Sequence, residues 1–315
     1  MKRRTLFAGL ALPALAQAQQ APPAGQMRIV SPYTPGGASD TLSRFAAQAL
    51  TEAMGVNVVV ENRPGAGGNL GAEFVARAPN DGSTWLTIAA AHAANVTLYR
   101  RLPFDVVRDF VPVCVIGLVP NVLAVHPSVP ARTFPEFIAW ARAQPQGVTY
   151  GSAGIGTLPH LAMELVRHRA GFQAVHVPFR GSAPAITELL SGRIQATFEN
   201  LPPSAGQIRA GGIRAIAMST ANRLPDWPDV PTVAETWPGF EAVAWQALMA
   251  PAGTPMPLVQ RVAQVVLAAT EAQATRLRGM GIEPGGIGPD RFPAFLQAEI
   301  SKWAEAVRLS GATAE

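Results

Sequence analysis

Three short segments place glycine, hydroxyl and charged residues where a strand would run into a helix. The first, SPYTPGGASD at 31–40, carries Tyr33, Pro35, Gly36, Gly37, Ser39 and Asp40. Glycines let backbone approach a ligand closely. A helix starting there, capped by Ser39 or Asp40, turns its free N–H groups and positive dipole end outward, which suits an anion. The second, GSAGIGTLPH at 151–160, repeats the design with Ser152, Ala153, Gly154, Gly156, Thr157 as cap, a proline in the first helical turn and His160. The third, FRGSAP at 179–184, brings Phe179, Arg180 and Gly181. Arg180 is either a bidentate partner for a carboxylate or a solvated arginine, and each glycine turn taken alone also fits a purely structural turn. Two such turns in one fold, facing each other, make an anion cleft the better reading.

Other chemistries find less support. Gly154 and Gly156 would need a third glycine at Pro159 to match the dinucleotide fingerprint, no G-x-S-x-G elbow occurs, and Lys302 is the only lysine beyond Lys2. His160, Glu164 and His168 share a helix face, but the histidines would stand about 12 Å apart, too far for one ion that needs nitrogens at roughly 2 Å. His92, His126 and His176 lack ligand spacing, so no metal and no cofactor is expected. Glu199, at a strand end before Asn200, either reaches the cleft or is an exposed loop carboxylate. Cys114, in an apolar run, reads as a buried small hydrophobe.

Short β-branched runs at 27–33, 56–61, 85–89, 113–125, 148–150, 174–177, 194–198, 213–218 and 242–250 alternate with helical patterns. This predicts α/β architecture with largely parallel sheets. Leu42, Phe45, Ala46, Ala49, Leu50 and Ala53 mark one apolar helix face. The alternation breaks at the proline-rich stretch 224–238, and two helices are expected at 258–280 and 289–310.

The chain has 315 residues, 48% of them hydrophobic and 15% charged, as a folded protein of two ordinary domains would. Residues 1–18 read as a cleaved export signal: Lys2, Arg3 and Arg4, an apolar run at 6–15, then Ala16-Gln17-Ala18. That run is about ten residues, half of what a bilayer requires. Export is by the Sec or the twin-arginine route, and the mature chain starts near Gln19 with an extension at 19–26. Loss of the signal leaves 22 basic against 21 acidic residues, so no electrostatic footprint for nucleic acid remains. One cysteine permits no intramolecular disulfide.

The chain resembles the substrate-binding proteins of tripartite tricarboxylate transporters, the Bug or TctC type. The resemblance is carried by PGGASD at 35–40, VENRPGAGGNLG at 60–71, PNDGST at 79–84, Phe104-Asp105 with DFVPV at 109–113, YGSAGIGTLPHL at 150–161, VHVPFRGSAP at 175–184 and DVPTVAE at 229–235. It implies a type II periplasmic-binding-protein fold, with two α/β lobes joined by crossing strands and a ligand cleft between them. It further implies a ligand carboxylate held by the 35–40 and 152–157 loops, often through waters, docking onto a two-component membrane permease, and a structural or partner-facing role for 61–71. Phe179 and Arg180 depart from the family's usual Tyr and Lys, and Glu199-Asn200 stands where an aspartate is frequent.

These readings combine into a set of expectations. Lobe 1 comprises 27–121 and 243–315, and lobe 2 comprises 122–242. Backbone N–H groups hold the carboxylate, while Tyr33, Ala90, Ala91, His92, Phe179, Arg180 and Glu199 shape the rest, and the lobes hinge about the crossing strands. The chain would be a periplasmic monomer without enzymatic activity. Two alternatives stay open: a secreted hydrolase using His160 and Glu199, and a ligand sensor docking onto a membrane kinase.

Overall fold

The computed structural model describes residues 25–179 and 181–314. The export signal expected at 1–18 and Arg180 lie outside them. The chain first runs through β1 (Met27–Ser31), α1 (Ala38–Met54), β2 (Val58–Asn62), α2 (Asn69–Ala76), β3 (Thr84–Ala89), α3 (Ala90–Leu98) and β4 (Phe110–Val119). The second lobe takes β5 (Asn121–Val125), α4 (Phe134–Arg142), β6 (Val148–Ser152), α5 (Leu158–Ala170), β7 (Ala174–Pro178), α6 (Ser182–Leu190), β8 (Ala196–Asn200), α7 (Leu201–Arg209) and β9 (Arg214–Met218). The chain then passes through α8 (Val233–Thr236) and returns with β10 (Ala244–Pro251), α9 (Met256–Ala272), α10 (Ala274–Gly279), β11 (Glu283–Ile287) and α11 (Phe292–Ser310).

Two sheets result, ordered β11-β4-β10-β3-β1-β2 and β7-β6-β8-β5-β9. Only β1–β2, β1–β3, β6–β7 and β6–β8 pair parallel; the strands that cross between lobes, β4, β5 and β10, pair antiparallel. The sheets are therefore mixed, not largely parallel, because a strand re-entering from the other lobe arrives reversed. The strand β11 was not anticipated: its Pro284-Gly285-Gly286 core lacks strand propensity. It survives as a bulged edge on β4, where a Cβ at Gly285 would collide with the Val115 carbonyl. The expected helix at 258–280 divides at Gln273.

Apolar periodicity accounts for the layers. In α1, Leu42, Phe45, Ala46, Ala49 and Leu50 are buried against the first sheet, and Gly55 closes the helix in the left-handed conformation at φ 68°. β3 and β5 are buried on both faces, hence the predominance of apolar residues, with Thr84 and Thr87 in β3 and Asn121 in β5 as the buried polar exceptions. At the crossing, Leu201 N–H donates to Pro120 O (2.8 Å), Ser219 N–H to Asn121 O (2.8 Å), and Ala242 N–H to Ser219 O (3.0 Å). These bonds tie both passing strands together. α11 lies against α3 of the first lobe and α5 of the second.

Candidate functional site

The C-terminal ends of β1 and β3 in the first lobe, and of β6, β7 and β8 in the second, each feed a helix. In open α/β sheets ligands bind at such edges. On the first lobe, α1 begins after Gly37, with Pro35, Gly36 and Gly37 exposed; its first helical bond runs from Thr41 N–H to Gly37 O. That leaves the N–H groups of Ala38, Ser39 and Asp40 without helical acceptors. Neither Ser39 nor Asp40 is the cap. Asp40 instead reaches back, accepting from Gly36 N–H (3.0 Å), Arg44 Nε (3.0 Å) and Asn62 Nδ2 (2.9 Å), and so holds the loop shut. Burial works to raise its carboxyl, but the bonds from Arg44, Gly36 and Asn62 and the Arg44 charge outweigh it and hold it below the usual range. The Ser39 hydroxyl is 3.3 Å from that of Ser31.

The α3 start supplies Ala90, buried, and Ala91, half-buried. His92 is buried beneath them. Its Nδ1 accepts from Ala89 N–H (3.2 Å) and its Nε2 lies 3.4 Å from Gly68 O, while burial lowers its pKa to about 4, so it is neutral. Tyr33 packs edge-on against it at 6.1 Å and donates to Gly67 O (3.3 Å). Tyr33 and His92 together brace the glycine turn Ala66–Gly68, where a Cβ on Gly68 would strike the His92 ring.

On the second lobe, Ser152 Oγ lies within bonding distance of Gly154 N (3.2 Å) and Gly154 O (3.1 Å), and 2.7 Å from His176 Nε2. Thr157 occupies the cap position of α5, yet its hydroxyl donates backward to Gly154 O (2.6 Å) and makes no capping bond. His160 Nδ1 accepts from Gly156 N–H (3.2 Å), leaving Leu158 and His160 N–H groups without helical acceptors. The backbone of Ala153 accepts from Gly181 N–H (3.0 Å), joining the second and third loops. Phe179 packs on Gly151, where a Cβ would meet its ring at 3.1 Å. Leu98 of α3 lies against Gly156, one contact between the lobes.

Glu199 is fully buried, not an exposed loop carboxylate. Its Oε1 accepts from Ser182 Oγ (2.8 Å) and Asn200 N–H (2.8 Å), while Oε2 has no partner among the described residues. Burial raises its pKa to about 7, against the lowering effect of those two bonds. Asn200 Oδ1, both amide atoms of Asn121 and Gln246 Oε1 are buried and unpartnered too. Asn121 sits opposite Asn200 on β5, and Gln246 opposite Ala89 on β10. Asn200 caps α7 by position, but Pro202 and Pro203 remove the N–H groups its side chain would accept from. Asn121 and Gln246 were missed in sequence because nothing local marks them; polar residues inside apolar strand runs are the available signal.

Two open surface pockets, of about 610 and 590 Å³, lie on the outer side of the first lobe. In the larger, Arg28 and Arg77 are already paired with Glu61 and Glu73. Glu164 is likewise engaged, by Tyr150 Oη (2.7 Å) and by Arg167. Among the described residues no cluster of three or more His, Cys, Asp or Glu side chains is arranged to hold a metal, and no helix is long and apolar enough to cross a membrane. Cys114 is buried, and its thiol is pushed up to about 12.

Two sheets exchanging strands around a cleft, with a helix-opening glycine turn on either side, define a two-lobed binding protein of the periplasmic type. The sequence profile of the tripartite tricarboxylate transporter family receptor (TctC) matches residues 42–311, and the chain belongs to that family. BugT of Bordetella pertussis is 35% identical over 97% of this chain and 94% of its own. Among solved structures, R. palustris Rpa4515 with adipate is 37% identical, with a TM-score of 0.85 over 92% of this chain and 99% of its own. MatC (Rpa3494) from Rhodopseudomonas palustris with bound malate is 29% identical, with a TM-score of 0.80 over 90% and 99%.

Proposed function

We propose that this chain works in the periplasm as a receptor that captures a small organic carboxylate between its lobes and delivers it to the permease of a tripartite tricarboxylate transporter. The observation that carries this reading is the pair of glycine turns, one per lobe, each opening a helix of more than two turns whose first N–H groups have no helical acceptor. Adipate and malate in the two solved relatives favour a dicarboxylate. On this reading the chain is exported by a cleaved signal at 1–18, acts as a monomer, and is organised as lobe 1 (27–121 and 243–315) and lobe 2 (122–242), hinged where β4 passes into β5. The ligand-contacting groups are the 35–40 and 152–157 loops, with Ala90, Ala91, Phe179, Arg180 and Glu199 around them, and with Tyr33, His92 and His160 bracing the loops from behind.

Hydrolysis is disfavoured by the engagement of the candidate groups. His160 is held by the Gly156 N–H and by ring stacking, and Glu199 Oε1 by Ser182 and Asn200. Thermal unfolding of the protein beginning at Gln19, against mono-, di- and tricarboxylates, amino acids and aromatic acids, tests the reading. A ligand at about a hundred times its Kd should add about 2.7 kcal/mol, several degrees for a chain of this size. The stabilising compound should be recovered unchanged. If no acid raises the midpoint, carboxylate capture is wrong; if the compound is consumed, the chain is an enzyme.

A further inference from the structure

The end of β8 presents a buried acid with one oxygen unused. Strands β6 and β8 are adjacent and parallel, with Tyr150 opposite Ala196 and Gly151 opposite Thr197. Glu199 therefore follows the line of the 152–157 loop one strand away, about 4.8 Å across the sheet. Its Oε1 is saturated from Ser182 and Asn200, while Oε2 has neither a protein partner among the described residues nor contact with solvent. A buried oxygen left in that state costs about 1–3 kcal/mol, more if charged.

Resting on the carboxylate-capture reading, we propose that Glu199 holds a proton and donates it from Oε2 to the far carboxylate of a bound dicarboxylate, so that capture takes up a proton from solvent. A carboxylic acid offers one O–H donor, and two carboxyl groups held together cannot both ionise. Among the described residues no cation is placed to neutralise it. On the elements packed against β8, Arg167 of α5 is paired with Glu164, which also holds Tyr150 of β6; His160 of α5 is stacked on His176; Arg209 of α7 lies over Trp227; and Glu188 of α6 is paired with Arg193. None forms a pair with Glu199. Burial, outweighing the bonds from Asn200 and Ser182, already raises this acid to about 7, and an approaching ligand carboxylate acts in the same direction as burial.

The test is titration calorimetry of the mature protein with adipate, and with hexanoate as the acid lacking the far carboxylate, from pH 6 to 8.5 in two buffers of different ionisation enthalpy. Above about pH 7 adipate is essentially fully ionised, so proton uptake there reports on the protein. The expected result is uptake approaching one proton per adipate at pH 8, an affinity falling about tenfold per pH unit above 7, and no uptake with hexanoate. Glu199→Gln keeps a neutral donor, so it should bind adipate with a flat pH profile and more tightly than wild type at pH 8.5. Adipate binding without uptake in wild type overturns the proposal and leaves carboxylate capture standing; this arm does not require the variant to fold. Preference for 6-aminohexanoate, lost in Glu199→Gln, overturns it in favour of an ionised Glu199 that accepts from an ammonium. Failure of every acid to bind at any pH overturns both readings.

Discussion

The imidazole rings of His160 and His176 stack at 4.1 Å with their planes 11° apart, and Tyr150 continues the stack on the far side of His176 at 4.8 Å. Each histidine also bonds the 152–157 loop: His160 Nδ1 accepts from Gly156 N–H, and His176 Nε2 meets Ser152 Oγ. The pair is the floor beneath the glycine turn of the second lobe. Sequence spacing concealed this, since His160 and His176 come from α5 and β7 and meet through the packing of that helix on that strand, while the β6–β7 register sets Tyr150 beside His176.

His160 must be neutral at Nδ1 to accept from Gly156 N–H, and burial disfavours the charged form of both rings, which ties stability to pH. Desolvation lowers His160, and desolvation with the His160 ring beside it lowers His176 to about 4. The unfolded chain, with histidine near 6.5, takes up protons that the folded chain refuses. Stability is therefore full above pH 6.5 and falls as pH drops from 6.5 to about 4. Glu199 has the opposite sign, since its raised folded pKa adds stability below the unfolded carboxylate value and loses it as pH rises through 7. Melting midpoints measured between pH 8 and 4 should fall less steeply for His176→Phe than for wild type. Identical slopes would show that the stack does not titrate.

Asp40 gives a binding prediction. Its carboxylate fastens Gly36 N–H, Arg44 and Asn62, which shapes the exposed 35–37 turn. Asp40→Asn keeps the volume but loses the charge-assisted bonds, worth about 1.5–3 kcal/mol each. The charge itself repels an incoming anion, but Arg44 already offsets it, so loss of order in the loop should dominate. Adipate affinity is expected to fall at least about tenfold by calorimetry. A tighter complex would mean that Asp40 acts as an electrostatic gate and not as a fastening.

The alternation of strands and helices was legible because both patterns are strong, as in the buried stripe of α1 and the apolar residues that follow Asn121 in β5. Strand direction was not, because antiparallel pairing of β10 with β3 depends on where the chain re-enters, not on its own residues. Gly36, Gly37 and Gly154 stand where the turns were expected and Thr157 takes the expected N-cap position of α5, but Gly37, not Ser39 or Asp40, caps α1, and the Thr157 hydroxyl bonds backward. A side chain's choice among nearby partners is decided by geometry that spacing does not encode. Asn121, placed beside Asn200 by cross-strand register, was invisible for the same reason.

Glu299 on α11 accepts from the indole N–H groups of both Trp245 (2.7 Å) and Trp303 (2.9 Å) through a single oxygen, and Lys302 pairs with its other oxygen. All three of Trp245, Trp303 and Glu299 are buried. Glu299→Ala leaves two buried donors unpaired and should cost about 2–5 kcal/mol, read by denaturant unfolding. Glu299→Gln keeps an acceptor and should lose less than half as much. Equal losses would assign the effect to packing.

Gly156 decides how close the lobes come. Its φ is 74°, and a Cβ there would overlap the Leu98 side chain from the first lobe. Two separable penalties follow from Gly156→Ala: about 1–2 kcal/mol for left-handed backbone in an L-residue, and about 1–3 kcal/mol for the overlap. The overlap is relieved by lobe opening or by shortening Leu98, whereas the backbone penalty is not. Gly156→Ala should therefore lower the melting midpoint and weaken adipate, because the closed form is the one that pays the overlap. Adding Leu98→Ala should restore adipate affinity toward wild type, while the midpoint stays low from the backbone penalty and the lost Leu98 contacts. If the double variant binds no better than Gly156→Ala, the contact between Leu98 and Gly156 does not govern closure, and the weakening must come from distortion of the 152–157 loop itself.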